Sequence, residues 1–136
     1  MTLALAELVA AFEAGTLPKT EFNHGAHLSV ACWYVSRMGK AAAIDRLRDG
    51  IRHYNDCTGT LNTDTSGYHE TLTVFWARVV ARFLARTPGE LSIDEKARLV
   101  VNEYAERRDL WREYYSFHVA KSVHARRRWM EPDRPL

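Results

Sequence analysis

Tyr68-His69-Glu70-Thr71-Leu72-Thr73-Val74-Phe75-Trp76-Ala77-Arg78-Val79-Val80-Ala81-Arg82-Phe83-Leu84-Ala85 is the stretch on which the fold of this chain turns. Within it Leu72, Phe75, Trp76, Val79, Val80, Phe83 and Leu84 recur at the spacing that stacks side chains on one face of an α-helix. His69 shares the face of Leu72, Trp76 and Val80. Thr87-Pro88-Gly89 then breaks the pattern.

The same period recurs on both sides, and no useful β-alternation appears. Leu5, Leu8, Val9 and Phe12 predict a helix over 2–14 that Gly15 stops as a C′ residue. Asn23 is placed to cap a second helix ending at Gly39, whose inward stripe is His24, His27, Leu28, Ala31, Val35 and Met38. Ile44, Leu47, Ile51 and Tyr54 mark a third over 41–55. The run from Thr58 to Gly67 is small and capping-prone, and the part from Asn62 to Gly67 is expected to close over a pocket. Ser92-Ile93-Asp94-Glu95 is a capping box that opens a fifth helix through about 105, while Asp109 and Ser122 open short turns near 115 and 129. The fold expected is all-α, a compact single-domain bundle of about five main helices over residues 1–136.

A chain of 136 residues buries enough apolar surface to fold without disulfides or a structural metal. No stretch approaches the ~20 apolar residues of a membrane span, so no membrane partner is expected. Nor is a nucleic-acid partner, because the formal net charge is only +2, and Arg126-Arg127-Arg128 read as an ion-paired, solvated face. Glu7 and Glu13 interrupt the apolar N-terminal run and no basic n-region precedes it, which points to a cytoplasmic protein. Cys32 and Cys57 form no CxxC pair and read as free thiols, in the core and at the surface respectively.

If helices two and four are alternate members of an up-and-down bundle, they run parallel and their first turns meet at one end. His24 and His27, three residues apart, point the same way and could share a transition metal ion, with His69 as third ligand. Glu70 would then serve as base or extra ligand, and Tyr68 would orient a substrate. Zinc, iron, manganese and nickel all suit such donors. Thr73 stands where a zincin would have its second histidine, so a metalloprotease is unsupported. The positive potential of helix N-termini opposes a bound cation. A metal-free alternative follows, in which neutral imidazoles and first-turn N–H groups hold an anion. His53, at the end of the third helix, His118, in a late loop, and His124, beside the arginines, stay outside the site.

The elements Phe22-x-His24-x-x-His27, Asn62-Thr63-x-x-x-Gly67-Tyr68-His69-Glu70-Thr71, Tyr114-Tyr115-Ser116 and Arg128-Trp129-x-Glu131-Pro132-Asp133 span most of the chain. In these it resembles a family of small uncharacterised bacterial all-helical proteins. The resemblance implies the helical fold and brings no activity with it. Two readings stand: a metal-binding protein with metal-dependent chemistry on a small molecule, or a metal-free module that binds an anion, another ligand or a partner protein.

Overall fold

A computed structural model describes residues 3–134. Helices α1 (Leu5–Ala14), α2 (His24–Met38), α3 (Lys40–Cys57), α4 (Glu70–Ala85) and α5 (Ile93–Tyr104) precede a short α6 (Val123–Arg127), and no strand occurs among the described residues. The protein is all-α, as its periodicity requires. The expected start of the first helix at Thr2 lies outside the described residues; Ala4 takes the N-cap position, and Leu5 is the first helical residue.

Local chemistry sets most of the boundaries. The Asn23 side chain accepts the Ala26 N–H at 2.9 Å and so starts α2, which removes one of the unpaired donors at a helix start. Ser92 and Glu95 form the reciprocal capping box of α5. Gly15 ends α1 at φ 73° and passes so close to Cys57 that a Cβ there would sit 2.4 Å from the thiol sulfur.

Helix α2 is the centre of the bundle and packs against α1, α3, α4 and α5. Leu28, Val30, Ala31, Cys32 and Tyr34 are all buried along it. A helix apolar on several faces has to be enclosed by its neighbours. A second apolar cluster, Phe75, Leu110, Trp111, Tyr115, Val119 and Ala125, joins α4 to the C-terminal third of the chain. That third folds as short turns: the helix expected after Asp109 is a 3-10 turn over Leu110–Glu113, and Asp109 pairs with Arg112 at 3.4 Å instead of capping it. Ser122 does cap α6, which stops at Arg127, short of Trp129.

Helix α4 begins two residues later than the apolar pattern suggests. His69 is its N-cap, in extended backbone, and Glu70 is the first helical residue. Cys32 is buried and Cys57 exposed, both as free thiols. No helix among the described residues is long and apolar enough to cross a membrane.

Candidate functional site

The first turns of α2 and α4 lie at the same end of the bundle and share one cavity of about 570 Å³. His24 and His27 reach its wall from α2, Tyr68 and His69 from the segment entering α4, and Thr73 and Trp76 from α4 itself. Leu28, Ala31, Leu47, Ile51 and Leu72 make much of the lining apolar, and Arg108 and Asp109 add charge from the turn after α5. The size, and the apolar wall with a few polar groups, fall in the range of cavities that can hold small molecules. Glu70 is not part of this wall.

His69 is held by both ring nitrogens. The Leu72 N–H points at Nδ1 (3.2 Å), which fixes the lone pair there. Nε2 therefore carries the proton and donates it to the Val119 carbonyl at 3.0 Å. Burial holds its pKa below the ordinary histidine value, partly opposed by the Val119 carbonyl. The result is a neutral imidazole that ties the start of α4 to the C-terminal third. Neither nitrogen offers a free lone pair to a metal.

Glu70 has partners of its own. Its carboxylate receives both forks of Arg48, from Nε at 2.9 Å and Nη2 at 2.7 Å. Tyr68 donates its hydroxyl to the same carboxylate at 2.5 Å, while Arg52 lies over the Tyr68 ring, 4.7 Å from its centre. Arg48 outweighs burial and holds the Glu70 carboxyl below the usual range. Burial, then Glu70, push the Tyr68 phenol well above its ordinary value. A carboxylate locked in a bidentate pair is a weak base, and a phenol beside it is a fixed donor.

His24 and His27 are different. His27 stacks face to face on Phe22, ring centres 3.8 Å apart. It is part-buried and keeps accessible surface on the cavity wall. Burial first, then His24 and Arg108, lower its pKa to about 4. The His24 ring meets Trp76 edge-on at 4.5 Å, and its Nε2 is buried with no hydrogen-bond partner. Burial and Arg108 lower its pKa too, against the pull of the Tyr104 carbonyl. Both are neutral bases at physiological pH.

Among the described residues no group of three or more His, Cys, Asp or Glu side chains is arranged to hold a metal ion. The sequence places His24, His27 and His69 at one cavity, but His69 is occupied and Glu70 is outside it. No family model, curated protein or solved structure matches the chain.

Periodicity marks neither Arg108 on the cavity wall nor Arg48, the partner of Glu70 outside it. Arg108 stands in a polar turn with no pattern around it, and Arg48 is on the charged face of α3. Of the remaining histidines, His118 caps the turn Val119–Lys121 and lies against Trp111, His53 touches Cys57, and His124 is exposed. None of them lines the cavity.

The loop before α4 meets the cavity only through Gly67. Asn62 holds it from within: its Oδ1 accepts from Asn55 at 2.8 Å and from the Tyr68 N–H at 2.9 Å. From outside, Arg127 grips Asp64 with two bonds and Arg126 donates to the Gly67 carbonyl at 2.9 Å. Gly67 has φ 79°, and a Cβ there would lie 2.5 Å from the Leu61 carbonyl oxygen. Gly67→Ala is expected to destabilise the protein by about 2 kcal/mol, from left-handed strain and a clash with backbone. Urea denaturation measures this; a loss below about 0.5 kcal/mol would show that the loop yields freely.

Proposed function

We propose that the chain is a small-ligand-binding protein whose cavity takes a compact, mainly apolar organic acid, without needing a metal. The observation that carries this is His27: a neutral imidazole, part-buried in the cavity wall, with no side-chain hydrogen bond among the described residues and with surface on an apolar cavity. A polar group so placed is worth most when a ligand pairs with it. Arg108 supplies the nearby cation for an acid group; it makes no ion pair among the described residues, and its field reaches both histidines. Phe22, Leu28, Ile51, Leu72 and Trp76 suit the apolar body of such a ligand.

The test is a thermal-shift and calorimetric screen of 3-phenylpropionate, indole-3-acetate and hexanoate, with Zn²⁺ and Ni²⁺ as separate arms. An acid that binds should stabilise by about 2.7 kcal/mol at a hundredfold excess over its Kd. Arg108→Gln should weaken it roughly tenfold, the scale of one charge-assisted bond. His27→Phe, which keeps the stack on Phe22, should abolish hydrogen bonding to the ring. Stabilisation by a metal alone, lost in His24→Ala, would replace this reading with the metal-binding one. No response to any probe would overturn both.

A further inference from the structure

A different face of α4 borders a second, larger concavity of about 1010 Å³. Arg78 and Arg82 stand on that face four residues apart, Arg86 follows four residues later as the C-cap of α4, and Lys40, Arg107 and Arg134 add charge from other segments. Glu131 is the one acidic side chain on the wall. At 1.5 Å rise per residue the three arginines climb α4 to its C-cap in steps of about 6 Å. Like charges at this spacing destabilise a helix unless something neutralises them.

Part of this charge is already answered. Arg78 meets Glu131 at 3.4 Å, and Arg107 meets Glu103 at 3.0 Å. Lys40, Arg82 and Arg86 make no ion pair among the described residues and are exposed. The net charge of +2, which speaks against a polyanionic partner, hides this gathering because its members are dispersed along the chain. Folding concentrates them in one groove.

Aromatic rings line the same groove: Phe75, Phe83, Tyr104, Tyr114 and Trp129. Two carry a guanidinium over the ring, Arg78 on Trp129 at 5.1 Å and Arg107 on Tyr104 at 5.5 Å. Arginine forks match phosphate oxygens, and flat guanidinium and aromatic faces accept stacked bases. An acidic peptide would answer the charge and leave the rings without a counterpart.

We infer that this groove binds a short single-stranded nucleic-acid segment, with phosphates along Arg78, Arg82 and Arg86 and bases over the Trp129 and Tyr114 side. The inference is independent of the cavity at His27. Fluorescence anisotropy of a labelled octathymidylate with the full chain tests it. Binding should be saturable at 50 mM salt and about 20-fold weaker at 200 mM, as expected for some three phosphate contacts on a single strand.

The double variant R82E/R86E, both positions exposed, should melt like the parent and bind at least tenfold more weakly. An octaglutamate peptide should fail to displace the oligonucleotide at matched charge. Absence of binding at low salt, unchanged affinity in the double variant, or equal displacement by octaglutamate would each overturn the inference. The last result would identify the groove as an acidic-peptide site instead.

Discussion

His69→Ala is expected to destabilise the protein by about 3 kcal/mol, made up of a lost N-cap and a buried carbonyl left without its donor. The two losses are separable. The cap concerns the Leu72 N–H at the start of α4, and the carbonyl is that of Val119, which is itself fully buried. Asparagine can accept the Leu72 N–H but is too short to reach Val119, so His69→Asn should recover about 1 kcal/mol of the loss and no more. For a chain of this length the alanine variant should melt on the order of 10 °C below the parent.

This experiment also separates structure from metal chemistry at the same residue. If His69 acts as cap and tether, EDTA leaves the melting temperature of the parent unchanged and added Zn²⁺ does not raise it. If His69 were a ligand, chelation would bring the parent down towards the alanine variant. The neighbours of His69 support the structural role. Thr71, fully buried, donates to the Arg128 carbonyl at 2.7 Å and accepts the Met130 N–H at 3.1 Å. Tyr115 donates to the Met130 carbonyl at 2.6 Å, and Ser116 bonds Asp133 through both its N–H and its hydroxyl. The segment Gly67 to Thr71 is thus the junction where α4, α3 and the C-terminal third are fastened together.

The helices were legible in the sequence because their signals are local: apolar spacing, the Asn23 and Ser122 caps, the Ser92 capping box and Gly15. The start of α4 was not, because a histidine before an apolar run reads equally well as a helical residue, and only its backbone shows that the imidazole is the cap. Phase alone correctly turned His24 and His27 inward. It carried no information about Val119, fifty residues beyond His69, or about Arg48, twenty-two before Glu70. Such pairings depend on which elements meet, and no period in the chain encodes them. The arginine groove was hidden for the same reason: α4 and its C-cap supply half its cations, and the others arrive from α3, from the turn after α5 and from the C-terminal arm.

Acid is expected to weaken the protein before its carboxylates titrate, and His27 should dominate the effect. Its folded pKa of about 4 lies below the ordinary histidine value of 6.5, so the unfolded chain takes up the proton first. Stability is therefore fully present above about pH 6.5 and is lost progressively as the pH falls towards 4. Between pH 7.5 and 4.5 the loss from His27 is on the order of 2.5 kcal/mol, at 1.36 kcal/mol per pKa unit. His24 and His69 are shifted in the same direction and add to it. Glu70, whose pKa is lowered by Arg48, contributes stability above the ordinary carboxylate value and loses it only at lower pH, so the interval from 7.5 to 4.5 belongs chiefly to the histidines. Urea denaturation at the two ends of that interval is the measurement. His27→Phe should flatten the difference by most of the His27 share, and Arg108→Gln should reduce it more modestly by removing a cation that opposes protonation of both cavity imidazoles. A His27→Phe variant that loses as much stability as the parent would mean that the His27 imidazole is readily protonated in the folded protein. An imidazole that titrates in the folded protein as it does in the unfolded chain is solvated, and the enclosed, unpaired polar group on which the ligand-binding proposal rests would then be gone as well.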